Sequence, residues 1–277
     1  MNGILYKGGK IYIENATNFD LEQTLDCGQA FRWSKDKNNV WHGMAGGKYI
    51  EIYKSEKDIV IEGSSKEDFE NFWAEYFDLD RDYGAISGSF ESNETLKAAA
   101  QFGNGIRILR QEPWEALCSF IISQNNNIPR IKGIIERLCE NFGEKTSSMY
   151  SFPSAETLAA LTPEDLAVIR SGFRAKYIID AARKVANKEI NLEALKTMDY
   201  AEAQKELLKI KGVGPKVADC ALLYGCGHIE AFPKDVWIKR ALEEFFGGEM
   251  PKCALDNAGI AQQYIFYYIR ENSKKDK

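Results

Sequence analysis

The apolar residues of this 277-residue chain change their spacing once, near residue 95, and that change narrows its fold more than any other feature. Before it, Ile4-Leu5-Tyr6, Ile11-Tyr12-Ile13, Tyr49 to Tyr53 and Ile59 to Glu62 are short, β-rich and separated by glycine or charged turns. That pattern predicts an antiparallel sheet. One helix is expected to interrupt it. There Ser65 and Asp68 have capping-box spacing, and Phe69, Phe72, Trp73, Tyr76 and Phe77 recur at helical intervals, a stripe suited to packing against the sheet. Beyond residue 95 the spacing stays helical, with Gly103, Gly143, Gly172, Gly225 and Gly247 at positions expected of C-terminal caps. Thr162-Pro163-Glu164-Asp165 supplies a capping hydroxyl, a proline for the first helical position and acids for the first turn. Strands in front and helices behind make an α+β protein. The expected division is an N-terminal antiparallel β-sheet domain with a flanking helix over residues 1–100, and a helical domain over residues 101–277. Ser273 to Lys277 reads as a solvated tail.

With 44% apolar and 28% charged residues, the composition is that of a globular protein with a core and not of a disordered chain. The longest apolar runs, such as Ala116 to Ile122, fall well short of the roughly 18 residues of a membrane span. Met1 to Lys10 lacks the basic flank and apolar stretch of a secretory signal. Six scattered cysteines are then expected as reduced thiols in a cytosol. Cys220, Cys226 and His228 are too few for a zinc or iron-sulfur site, so no metal is expected. The net charge of -5 hides a split: residues 1–100 carry a balance of -7 and residues 101–277 a balance of +2. Global acidity argues against wholesale binding of polyanions but leaves room for a local phosphate site built from backbone amides and a few lysines.

The segment Leu207 to Cys220 holds such a site. A helix ending near Ile210 is followed by Gly212-Val213-Gly214 and then by Pro215 at the start of a new helix, a helix-hairpin-helix over about residues 201–225. The two glycines permit a tight turn and expose amide N–H groups, which suit a phosphate oxygen without reading sequence. Lys216 stands in the first turn of the second helix, where the positive dipole end disfavours an ammonium and poises the amine to lose its proton. It is a candidate nucleophile, with phosphate neutralisation as the competing role. Asp235 is expected to cap the next helix and, if held near Lys216, to stabilise positive charge developing during a reaction.

Gly212-Val213-Gly214-Pro215-Lys216 with Asp235 nineteen residues on resembles the helix-hairpin-helix, Gly-Pro-Asp superfamily of DNA glycosylases, and in detail its 8-oxoguanine DNA glycosylase branch. The likeness extends to Gly28-Gln29-Ala30-Phe31-Arg32-Trp33, Ile108-Leu109-Arg110-Gln111, Ser119-Phe120-Ile121, Ser123 to Arg130 and Val217-Ala218-Asp219-Cys220. Other branches carry a four-cysteine cluster after this region, where this chain has only Cys253. The resemblance implies a bifunctional glycosylase and abasic-site lyase acting on double-stranded DNA that contains 8-oxoguanine. Removing the base calls for no cofactor, a monomer is the default expectation, and the place expected is the cytoplasm, at the nucleoid of a bacterium or in the nucleus of a eukaryote. Lys216 matches the lysine that attacks C1′ of the damaged nucleoside, and Asp235 matches the aspartate supporting that step. Gly28 matches the glycine whose carbonyl accepts N7–H of 8-oxoguanine. Cys220 and Phe266 match the pair that sandwiches the extruded base, and Gln262 the side chain reading its Watson-Crick edge. Asn125 matches the residue that enters the vacated stack, and Arg130 and Arg174 match the arginines that hold the estranged cytosine. Phe173 stands where vertebrate members carry a tyrosine beside that cytosine, and Trp237 where they carry a histidine. Two other readings share parts of this pattern: a sister glycosylase for another damaged base, and a non-catalytic DNA-binding module using the hairpin alone.

Overall fold

The computed structural model describes residues 3–146 and 148–275. Six antiparallel strands form one sheet in the order β1-β2-β6-β5-β4-β3, with β1 Ile4–Lys7, β2 Lys10–Ile13, β3 Trp33–Lys35, β4 Trp41–Ala45, β5 Lys48–Ser55 and β6 Asp58–Glu62. Four of these strands lie where the sequence puts them. The other two are β3, only three residues long, and β4, which carries Gly43 and Ala45; they flank an Asp36 turn, in which the carboxylate accepts the N–H groups of Asn38 and Val40. The helix opened by Ser65 follows the last strand, so it does not interrupt the sheet. What interrupts it is Leu21–Leu25, a helix of five residues capped by Asp20, too short to leave a periodic signal. Ser65 accepts the N–H of Asp68 as expected of a cap, but its hydroxyl donates to the Asp68 carboxylate in place of the reciprocal bond. The aromatic stripe is wound through a π turn at Phe69–Trp73. It packs Trp73, Tyr76 and Phe77 against Trp33, whose Nε1 donates to the Tyr76 hydroxyl at 2.9 Å.

Two cores result. One lies under the sheet, drawn from residues 11–77 with Leu109. The other takes in Tyr83, Phe90, Leu96 and the helices behind them, together with Cys27 and Phe31 from the front of the chain. Residue 100 falls inside the Glu94–Phe102 helix. Arg32 ties the two parts: it pairs with half-buried Glu115 at 3.4 Å and donates to the Tyr150 carbonyl. Residues 25–33 alternate between the cores, with Leu25, Ala30 and Trp33 in the first and Cys27 and Phe31 in the second, which sets Gly28 at the junction.

Gly103 and Gly143 do cap their helices, and Gly247 follows the Val236–Phe245 helix at φ +68°. Gly172 instead opens a 3-10 turn, and Gly225 lies inside the π turn Leu222–Cys226. A Cβ on Gly225 would stand 3.0 Å from Ala116 and Pro113, so it is a close approach between helices, while Gly227 at φ +79° makes the cap. Thr162 and Asp165 do exchange capping bonds, at 2.8 and 3.3 Å, but the turn they start is the short 3-10 helix Asp165–Ile169. The final helix runs Ala258–Lys275, so Ser273 to Lys275 are helical and not a free tail, and residues 276–277 lie outside the described residues. No helix among the described residues is long and apolar enough to cross a membrane.

Candidate active site

The hairpin consists of Tyr200–Leu208, a turn, and Pro215–Ala221. Gly212 needs its missing side chain twice over: φ is +79°, and a Cβ would lie 2.5 Å from the Tyr177 ring. Gly214 is different. Its backbone is extended at φ -101° and ψ 177°, and nothing stands within 4 Å of where a Cβ would be. Its carbonyl accepts the N–H groups of Val217 and Ala218, both at 3.0 Å. Among the described residues no acceptor meets the N–H groups of Gly212, Gly214 or Lys216. They are open donors at a positive helix end, the arrangement that binds a phosphate oxygen.

Lys216, in the first turn of that second helix, carries its Nζ 5.3 Å from the centroid of the Phe120 ring. Asp235 caps Val236–Phe245 by accepting the Ile238 N–H at 2.8 Å. Burial lifts the Asp235 carboxyl above its usual range, against the pull of the Ile238 N–H and the charge of Lys216. Among the described residues the two form no ion pair within 4 Å, so the amine has a counter-charge nearby without being locked to it. Cys220, one helical turn past Lys216, is buried beneath the cleft; burial pushes its thiol up to about 11 despite Lys216.

Lys216 and Asp235 face a cleft of about 1760 Å³ that also takes in Gly28, Asn125, Arg130, Phe173, Gly214, Trp237 and Phe266. That exceeds the roughly 300–1,000 Å³ of a small-molecule pocket, so an extended ligand fits it better. Of the expected site residues, Cys220, Gln262, Arg174 and Gly212 do not line the cleft: the first three are buried behind its wall, and Gly212 is exposed on the hairpin turn. Gln262 is 4% exposed, and its Oε1 is a buried acceptor with no partner. An orphaned oxygen of this kind costs about 1–3 kcal/mol until a donor reaches it.

The backbone around Gly28 is arranged one carbonyl at a time. Arg270 Nη2 donates to the Asp26 carbonyl at 3.0 Å, Gln263 Nε2 to that of Cys27 at 3.3 Å, and Gln111 Nε2 to that of Gln29 at 2.7 Å. Among the described residues nothing donates to the Gly28 carbonyl between them. Gly28 itself sits at φ +91°, with Ile128, Arg270 and Phe266 all within 4 Å of where a Cβ would point.

On the opposite side, Asn125 turns the chain between two helices at φ +52°, a left-handed conformation that asparagine tolerates better than most residues. Arg174 holds that turn. It donates to the carbonyls of Gln124, Asn125 and Ser171 and stacks 4.5 Å from the Phe173 ring, while remaining only 2% exposed. Among the described residues, Arg130 spends no side-chain donor on another group, and it borders the cleft. Phe173 is 49% exposed and Val236 82%, large apolar surfaces left bare at the rim. Sequence reasoning assigned no role to Phe120, Tyr200, Asp219, Lys234 or Arg270. Asp219 is buried, with its carboxyl pushed up by burial against hydrogen bonds from Tyr200 and Gln204 and the charge of Lys234. Its adjacency to Cys220 was the available signal.

Residues 11–117 match the family described as 8-oxoguanine DNA glycosylase, N-terminal domain, and residues 118–252 match HhH-GPD superfamily base excision DNA repair protein. An N-glycosylase/DNA lyase of Saccharomyces cerevisiae is 35% identical over 264 residues, covering 85% of this chain and 70% of its own length. A probable N-glycosylase/DNA lyase of Methanothermobacter thermautotrophicus is 30% identical over 217 residues, covering 68% and 69%. The Clostridium acetobutylicum 8-oxoguanine glycosylase/lyase, in complex with double-stranded DNA containing cytosine opposite 8-oxoG, superposes with a TM-score of 0.92 at 41% identity over 98% of this chain and 99% of that one. The chain belongs to the helix-hairpin-helix, Gly-Pro-Asp superfamily of base excision repair proteins, in its 8-oxoguanine DNA glycosylase branch.

Proposed function

We propose that this protein excises 8-oxoguanine from duplex DNA and then nicks the strand at the abasic site, with Lys216 as nucleophile. The observation that carries the reading is the Gly28 carbonyl, left without a donor beside the cleft while the carbonyls on either side are taken. 8-Oxoguanine has a proton on N7 and guanine has a lone pair there. A fixed acceptor therefore welcomes the damaged base and opposes the normal one, a difference of about 1–3 kcal/mol for a buried unpaired group. For the extruded base to lie between Phe266 and the Cys220 thiol, with the orphaned Gln262 Oε1 accepting from its Watson-Crick edge, the wall in front of Cys220 and Gln262 has to open. Asn125 enters the gap, with Arg130 and Phe173 on the estranged base and Arg174 holding the Asn125 turn from behind, and the amides of Gly212 and Gly214 grip the backbone.

The Lys216 Nζ lone pair attacks C1′ as the C1′–N9 bond breaks, and the base departs with that electron pair and takes up a proton. The attached nitrogen loses its protons as the sugar ring opens to an imine, and removal of a C2′ proton then expels the 3′ phosphate. The Asp235 carboxylate stabilises the positive charge that develops at the sugar. No step calls for a redox or group-carrying cofactor. Residues 1–100 contribute the Gly28 loop and residues 101–277 the nucleophile, so in this reading the base is bound between the two domains. Its place of work is the compartment that holds DNA, nucleoid or nucleus.

Borohydride trapping on an 8-oxoguanine:cytosine duplex tests the reading. Native protein should give a covalent adduct and Lys216→Gln none; no adduct with native protein would reject it.

A further inference from the structure

Arg270 lies one helical turn past Phe266 on the final helix, and the reaction as derived makes no use of it. Its side chain is 14% exposed, and it borders the cleft. Nη2 reaches back 244 residues in sequence to the Asp26 carbonyl. Its Cζ is 5.8 Å from the Phe266 ring centroid and 5.4 Å from that of Tyr267. Among the described residues, Nη1 is buried with no acceptor, and it lies 3.7 Å from the point that a Gly28 Cβ would occupy. One guanidinium therefore touches the loop that presents the free carbonyl and the ring that would cover the base.

We propose that Arg270 is a positioning residue that sets selectivity for the oxidised base, by holding the Gly28 carbonyl and the Phe266 ring in fixed relation. This rests on the base-reading role of Gly28 proposed above. A hydrogen bond weakens steeply as its angle departs from linear, so a carbonyl discriminates N7–H from a lone pair only while its direction is held. A loop free to turn its peptide plane would let the carbonyl swing away from guanine, and rejection would fade. Arg270 fixes the plane two residues before Gly28, and Gln263 fixes the next one. Nε and Nη2 of Arg270 also pair with the Glu271 carboxylate, each at 2.9 Å, an anchor on the same helix that holds the guanidinium at the loop. The flat face that packs beside Phe266 is one that an ammonium lacks.

The test compares the full-length native protein with Arg270→Ala and Arg270→Lys. Single-turnover excision is measured for 8-oxoguanine and for guanine opposite cytosine, and nicking is measured on a duplex with a pre-formed abasic site. Nicking needs Lys216 but no base in the pocket, so it reports whether the fold and nucleophile are intact. Arg270→Ala should lose at least about ten-fold in 8-oxoguanine excision relative to nicking, with a smaller preference over guanine, and Arg270→Lys should lose less. Should the alanine variant fail to fold, the lysine variant carries the same comparison. An excision-to-nicking ratio equal to native, or an unchanged preference over guanine, overturns the proposal. Failure of the native protein to excise 8-oxoguanine is a separate result, and it overturns the assignment of substrate instead.

Discussion

Asp235 combines two tasks in one carboxylate, a cap on the Ile238 N–H and a charge near Lys216. Asparagine caps as well as aspartate, so Asp235→Asn separates them. Its raised folded-state affinity for a proton means that ionised Asp235 costs stability, and this cost grows as pH rises through its titration. The asparagine variant should therefore melt no lower than native at neutral pH, while single-turnover excision falls by about 10²-fold. Unchanged excision would leave Asp235 as a cap alone. At this scale the sequence was most informative where residues sit close together: Lys216, Cys220 and the hairpin glycines share one short segment. Arg270 was illegible because its meaning depends on a carbonyl at the other end of the chain. Read alone, an arginine after Tyr267-Tyr268-Ile269 is simply the polar edge of an amphipathic helix.

Among the elements, the hairpin glycines look equivalent in sequence and are not so in space. Gly212→Ala would force a methyl into the Tyr177 ring at a positive φ. It should cost about 2 kcal/mol or more, read as a fall in Tm. Gly214→Ala meets no neighbour and keeps an extended backbone, so its Tm should stay close to native. Its methyl nonetheless stands beside the open amides, and DNA affinity on a non-cleavable abasic duplex should drop in both variants. A lower Tm for Gly214→Ala, or full affinity in either variant, would contradict this account. Helix starts were legible because caps are local chemistry, as at Thr162 and Asp165. Strands β3 and β4 were not, because β3 is only three residues long and Gly43, Met44 and Ala45 of β4 have little intrinsic preference for strands. Their pairing depends on Trp33, whose ring lies 2.2 Å from where a Gly43 Cβ would be, a fit that exists only after folding.

For the molecule as a whole, buried Arg32 and half-buried Glu115 form a tie between the sheet-bearing segment and the helices. Burial, opposed by Arg32, pushes the Glu115 carboxyl from its ordinary 4.5 up to about 7. The neutral form is thus favoured in the folded state, so this group's contribution to stability declines as pH rises from about 4.5 to about 7 and is level above. Glu115→Gln should flatten that part of a Tm-against-pH curve; an identical slope in both proteins would place the pH sensitivity elsewhere. The two-part α+β architecture followed from the change in apolar spacing, but the traffic between the parts did not. Leu109 joins the sheet core and Cys27 the helical one, exchanges that no local pattern encodes. The row of carbonyls around Gly28 also fixes an order of assembly. Two of their three donors, Gln263 and Arg270, belong to the last helix. During synthesis the nucleophile and the phosphate grip leave the ribosome first, and the means of telling damaged from sound purine is completed only when the final turns dock.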